Sequence, residues 1–215
     1  MKLESLQKAG GVSVILGALF LAAYSVLFTL VLPVNEVRHD ITAAVMSPGW
    51  TWIALVAFIG VIFMIFGLAA VYSRMFEGAG ITGFIGFLVV ELAYILQACK
   101  VTWEICLYPV ISSNQVFAPL LRDRIIQLSP LVGMFRTAAS ASIFIGIILF
   151  CFALVRSKEF PKIGGILVFA GALIYGFGPM LSVVIAIGGI VILSIGFFLI
   201  GLRLMCPVET TAVPR

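Results

Sequence analysis

Polar residues with the potential for chemistry interrupt an apolar stretch at residues 81–111: Glu91, Gln97, Lys100 and Glu104. An ionisable group inside a membrane-spanning segment costs at least ~2.5–3.5 kcal/mol, so it usually marks a pathway, a ligand site or an internal ion pair. Two carboxyls and an ammonium could bind a small charged molecule or carry an ion. The same groups could also simply pair with one another.

The spacing of these charges divides them between two faces of a helix. Lys100 and Glu104 are four residues apart and therefore share a face. Glu91 precedes Lys100 by nine residues, which places it on the opposite side at 100° per residue. Its depth from the start of the apolar stretch is about 15 Å, close to the midplane of a bilayer. Glu91 therefore needs its own partner or its own proton.

A polar layer is expected at the outer end of this helix. Arg136 follows the start of the next apolar stretch, and Trp103 and Tyr108 flank Glu104. His39, in a polar loop with Arg38 and Asp40, should reach the same side. The functional hypothesis is a binding site that opens outward for a small molecule or an ion. Its candidate residues are Glu91, Lys100, Trp103, Glu104, Tyr108, Arg136 and His39.

Each candidate also has a structural interpretation. Glu104 could pair with Arg136 or with Lys100 only to fix helix packing, because buried ion pairs are often structural. Trp103 and Tyr108 are typical of an interfacial aromatic belt. His39 is compatible with a solvated loop position.

The histidine content excludes several cofactors. His39 is the only histidine, so one chain cannot build a bis-histidine haem, a histidine-rich zinc site or a two-histidine iron site. No nucleophile elbow or metalloprotease pattern occurs. We predict no cofactor, no metal ligand and no catalytic residue, and enzymatic activity has no positive signal.

The composition indicates an integral membrane protein. The 215-residue chain is 63% hydrophobic and only 10% charged, with a mean hydropathy of +1.26. The net charge of +4 does not indicate nucleic-acid binding, because the Lys and Arg residues are spread over short loops.

Apolar runs of about 20 residues predict an all-α, polytopic bundle of six transmembrane helices that forms a single domain over residues 1–215. Eight basic residues fall on one side and three on the other, which predicts that both termini lie in the cytoplasm. The first span is too long for a signal peptide and is expected to be retained. The predicted spans are about 11–33, 50–73, 81–103, 132–155, 163–180 and 182–204.

Three local features are predicted from turn and helix signals. The last two spans should reverse at Gly178-Pro179, since no charge separates them. Pro109 should end the third span and so fix the height of Glu104. Residues 115–127 should form one amphipathic helix on the bilayer surface.

Several short motifs carry a family resemblance. Trp103-Glu104 followed by Pro109, Arg156-Ser157 with Phe160-Pro161, and Gly178-Pro179 resemble the pattern of an uncharacterised family of bacterial six-helix integral membrane proteins. The resemblance covers nearly the whole chain. It implies the six-helix fold and a location in a bacterial-type plasma (inner) membrane, and it supplies no activity. It makes Trp103, Glu104 and Pro109 the first residues to mutate.

Three functions remain open from the sequence. The leading hypothesis is transporter-like handling of a small molecule or ion through the outward-facing polar site. A non-catalytic membrane subunit or scaffold, with structural ion pairs and either a membrane-protein partner or a second copy of the chain, competes with it. A lipid-acting membrane enzyme is the third. The lipid bilayer is the common partner of all three, and no nucleic acid is expected.

Overall fold

The computed structural model describes residues 3–32 and 41–206. The chain is 91% helical and has no strand in this described part, which confirms the all-α class. The helices are α1 (Leu3–Val31), α2 (Ile41–Val45), α3 (Trp50–Thr102), a π-helix (Trp103–Leu107), α4 (Tyr108–Ser113), α5 (Ala118–Arg122), α6 (Ile125–Leu128), α7 (Pro130–Ser157), α8 (Lys162–Leu181) and α9 (Val183–Met205).

Four helical segments in the described residues are long and apolar enough to cross a membrane. They are Ser5–Val31, Trp50–Ser113, Pro130–Ser157 and Val183–Met205, and a shorter apolar helix covers Lys162–Gly178. These segments indicate a protein that is embedded in a membrane. The count differs from the six predicted spans because two of those spans fall within Trp50–Ser113 and a third lies on the shorter helix.

Helix α3 folds back on itself at Gly80. Gly80 has φ 60° and ψ −170°, a backbone conformation that glycine adopts without steric cost. The Tyr72 and Phe87 rings on either side of this residue stack at 4.4 Å. At the far end, the Trp50 indole nitrogen lies 2.8 Å from the Glu104 carbonyl oxygen. Helix α3 is therefore an antiparallel pair, with a first arm at 50–79 and a second arm at 81–102.

Helices α8 and α9 form a second tight hairpin, but its reversal is not at Gly178-Pro179 as predicted. Helix α8 continues to Leu181, and the chain turns at Ser182, whose backbone is extended at φ −162°. The Ser182 hydroxyl accepts a hydrogen bond from the Val184 amide at 3.2 Å and so caps α9. Gly178 instead serves packing, because a Cβ there would lie 2.7 Å from the Ala186 nitrogen.

The long helices pack in a closed ring of six rods: α1, the two arms of α3, α7, α8 and α9. Helix α1 contacts the first arm and α9, the second arm contacts α7, and α8 joins α7 to α9. Glycines permit the close approaches, as where Gly67 meets Val14 and Gly86 meets Phe150. The fully buried core fills the half of the ring nearest Gly80. It includes Met64, Leu68, Phe150, Leu154 and Phe197.

The short helices cover the opposite end of the ring, which we call the loop end. Leu121 is fully buried there, in a cluster with Trp50 and Tyr108. The single amphipathic helix predicted at 115–127 is wrong: α5 and α6 are separated by Arg124, which has a left-handed φ of 59°. Leu121 thus packs into the protein and does not face the bilayer.

Candidate functional site

A central cavity of about 390 Å³ lies inside the ring, in the half nearer the loop end. All six rods contribute to its wall, which is mostly apolar. The polar side chains on the wall are Tyr24 from α1, Tyr94, Gln97 and Lys100 from the second arm, Ser140 from α7 and Tyr175 from α8.

The cavity is closed towards the Gly80 end. Val61, Ile147 and Leu193 line it and belong to the same buried cluster as the core residues beyond them. Met64 and Phe150, one turn further along their helices, are at most 2% exposed. Any access for a ligand is therefore from the loop end or between helices at that level.

Lys100 joins the cavity to the charge pair predicted from the sequence. Its Nζ lies 3.3 Å from Glu104 Oε1, as the shared face predicts. The Lys100 side chain is 43% exposed and the Glu104 side chain 11%. Lys100 thus carries its charge on the cavity wall, whereas Glu104 anchors it from beside the cavity.

The backbone around Glu104 is a π-helix. Its Tyr108 amide donates to the Trp103 carbonyl, five residues back, and the helix then continues as α4 to Ser113. The prediction that Pro109 ends the helix is therefore wrong. A proline has no N–H and clashes with the carbonyl four residues earlier, so the wider π-turn lets the helix pass Pro109. Such π-segments occur frequently at functional sites.

The two predicted aromatic residues lie outside the cavity. The Trp103 ring packs on Phe135 at 5.1 Å, and the buried Tyr108 ring stacks on Trp50 at 6.5 Å. Trp50 also donates its indole N–H to the Glu104 carbonyl, so this cluster holds the π-helix in place. These aromatic residues support the site from behind and are not its walls.

The other predicted residues do not join this group directly. Arg136 is exposed and forms no ion pair within residues 3–32 and 41–206, so Glu104 pairs with Lys100 and not with Arg136. Glu91 is not on the cavity wall, and its Oε1 is buried without a hydrogen-bond partner in the described residues. His39 lies outside the described residues.

Three tyrosines were missed by the sequence analysis. Tyr24, Tyr94 and Tyr175 come from three different rods, and all three line the cavity. The sequence could have indicated them, because each is a tyrosine within an apolar helix, whereas tyrosine is usual at the membrane–water interface. Only the tertiary fold shows that the three converge.

The cavity combines one ammonium, three phenols, an amide and a hydroxyl with an apolar wall. Such a wall suits a small molecule with an apolar body and an anionic or hydrogen-bond-accepting group. No three His, Cys, Asp or Glu side chains come together as a metal site in the described ranges. A scan of protein-family models and searches of curated proteins and of solved structures find no match to this chain.

Proposed function

We propose that this protein is a transporter-like membrane protein that binds a small amphipathic molecule or an ion in its central cavity, which opens on the extracytoplasmic side. The observation that carries the proposal is the cavity lined by all six rods, with Lys100 and the three tyrosines on an otherwise apolar wall. A cavity in the middle of a helical bundle is a common location for ligand sites.

The proposal includes six crossings of a bacterial-type plasma membrane, with both termini in the cytoplasm. At 1.5 Å per residue, the arms 50–79 and 81–102 and the helix Lys162–Leu181 would each measure about 30 Å or more, which suffices for a bilayer. The Gly80 end also carries the basic residues Arg74, Arg156, Lys158, Lys162 and Arg203, which favour the cytoplasmic side. The family resemblance leads to the same expectation.

The Lys100–Glu104 pair suggests how a ligand would bind. An anionic group that enters the cavity can approach the exposed part of Lys100 while Glu104 holds the ammonium from the other side. The tyrosine hydroxyls can donate to the same group, and the apolar wall accommodates the rest of the molecule. A partly buried ammonium on the cavity wall would favour carboxylates or phosphates over cations.

A thermal-shift screen tests this function. Purified protein is heated with panels of small carboxylates, phosphates, amphiphiles and ions, because a ligand that binds only the folded state raises the melting temperature. The informative variant is Tyr94→Phe, which removes one hydroxyl from the cavity, and the matched control is Tyr72→Phe, outside the cavity. We expect a ligand shift that falls in Tyr94→Phe and persists in Tyr72→Phe. Equal shifts in both variants would contradict binding in the cavity.

The scaffold function has its own supporting observation. The Lys100–Glu104 salt bridge and the Trp50 hydrogen bond to Glu104 are also what a purely structural site requires. A double-mutant cycle with Lys100→Gln and Glu104→Gln measures the coupling between the two side chains without ligand. Strong coupling, together with no thermal shift by any ligand, would favour the scaffold.

A further inference from the structure

A second cavity lies on the outer surface of the ring, between α7 and α8. It is a groove of about 270 Å³ in the half nearer Gly80, away from the central cavity. The residues that line it in the described part of the chain are all apolar. They include Ile148, Phe152, Ile166 and Phe169, which are 37–57% exposed. In a membrane protein this groove faces lipid acyl chains.

The depth of the groove follows from small residues between large ones. Gly165 lies at its base, where a Cβ would be 3.1 Å from Val155 Cγ2, so α8 approaches α7 closely at this point. Buried Cys151 also contributes to the groove. Phe152 and Phe169 belong to different helices and bound the groove on its two sides. The groove is therefore a defined feature of the α7–α8 contact.

Three basic residues lie at one end of the groove. Arg156 follows Val155 directly, Lys158 follows the last residue of α7 and has a left-handed φ of 61°, and Lys162 begins α8 one helical turn before Gly165. All three are exposed, and none forms a salt bridge within the part of the chain that the structure describes.

The single acid in this turn does not compensate these charges. The Glu159 carboxylate lies 3.8 Å from Arg74 Nε, on the first arm of α3. The Glu159 carbonyl also accepts a hydrogen bond from Arg203 Nε at 3.4 Å. Glu159 is thus directed towards the inside of the bundle, and the groove end keeps a local excess of positive charge.

We propose that the groove binds an acyl chain of an anionic phospholipid whose phosphate lies among Arg156, Lys158 and Lys162. An acyl chain matches the wholly apolar lining, which offers no partner for the polar backbone of a peptide. The positive charge at the groove end selects an anionic headgroup over a zwitterionic one. The site is separate from the central cavity and does not depend on its function.

Native mass spectrometry of the full-length protein in detergent tests the proposal. Phosphatidylglycerol and phosphatidylcholine with identical chains are titrated in, and the first lipid bound is quantified. The charge variant combines Arg156→Gln, Lys158→Gln and Lys162→Gln. Its matched control combines Arg122→Gln, Arg124→Gln and Arg136→Gln, which removes the same charge at the loop end. Ile148→Trp fills the groove and leaves the charges unchanged.

We expect phosphatidylglycerol to bind more tightly than phosphatidylcholine by at least about tenfold, because the three basic residues attract an anionic headgroup together. The preference should disappear in the charge variant and persist in its control. Ile148→Trp should weaken both lipids, and soluble glycerol phosphate should not compete.

Three results would overturn the proposal. Equal affinity for the two lipids, or an unchanged preference in the charge variant, would show that the three basic residues do not bind the headgroup. Full competition by glycerol phosphate would identify a site for free phosphate in place of a lipid. A dimer that becomes monomeric in Ile148→Trp would mean that a second copy of the chain occupies the groove.

Discussion

Gly189 controls the distance between the two helices of the α8–α9 hairpin, and its replacement by alanine is a sharp test of that hairpin. A Cβ at Gly189 would lie 2.3 Å from the Tyr175 nitrogen and 2.8 Å from the Ile174 carbonyl carbon. These are backbone atoms, which cannot move away by changing a rotamer. The adjacent Gly188 has no atom within 4 Å of the same position and is the matched control.

The size of the effect follows from this geometry. To lengthen this 2.3 Å contact to the 3.4 Å of ordinary packing, the backbones of α8 and α9 must move apart by about 1 Å. Overpacking of this kind typically costs about 1–3 kcal/mol. Alanine also stabilises a helix interior relative to glycine by roughly 0.5–1 kcal/mol. Gly188→Ala should show this stabilisation alone. The two variants should therefore differ by about 1–3 kcal/mol in the free energy of unfolding.

Thermal unfolding in detergent measures the difference. For a chain of this length, 1 kcal/mol corresponds to roughly 2–4 °C, so Gly189→Ala should melt several degrees below Gly188→Ala. Because Tyr175 lines the cavity, Gly189→Ala should also weaken any ligand that shifts the wild type. Equal melting temperatures would refute the close approach of α8 and α9 and the reversal at Ser182.

Three further substitutions test other parts of the structure. Trp50→Phe removes the 2.8 Å hydrogen bond to the π-helix from a residue that is only 3% exposed. It should lower the free energy of unfolding by about 1–3 kcal/mol. The control Trp52→Phe, at a residue that is 71% exposed, should change it little. Glu91→Leu should raise the melting temperature, because it removes a buried carboxyl oxygen that has no hydrogen-bond partner in the described residues. Its control is Glu77→Leu, at an exposed position. A lower melting temperature in Glu91→Leu would show that the carboxyl has an important role. Arg74→Gln should cost about 2 kcal/mol, since its guanidinium donates to three carbonyls at the end of α9, and an unchanged urea midpoint would contradict those bonds.

Hydropathy and local spacing predicted the helices and the Lys100–Glu104 pair, because both depend on neighbours in sequence. Apolar runs define helices whatever their packing, and residues four apart on one helix meet without help from the rest of the fold. The turn signals were less reliable. The Gly178-Pro179 pair predicts a turn, but the structure uses Gly178 for a close helix contact and turns at Ser182.

Features that depend on several helices could not be predicted. The tyrosines at 24, 94 and 175 are far apart in sequence, and only ring closure brings them to one cavity. The choice between Lys100 and Arg136 as the partner of Glu104 likewise depends on the position of α7. The third such feature is the π-helix before Pro109. It lets the helix continue where a proline predicts an end, and residue propensities do not predict it.

The proposed function requires that water and solutes reach the cavity from the extracytoplasmic side. We would place single cysteines in a cysteine-free background at Ser140, on the cavity wall, and at Ser73, at the Gly80 end, and treat intact cells with a membrane-impermeant thiol reagent. Only a thiol in contact with water forms the reactive thiolate. We expect Ser140→Cys to react in intact cells and Ser73→Cys to react only after permeabilisation. Reaction of Ser140→Cys only from the Ser73 side, or no reaction at all, would contradict it.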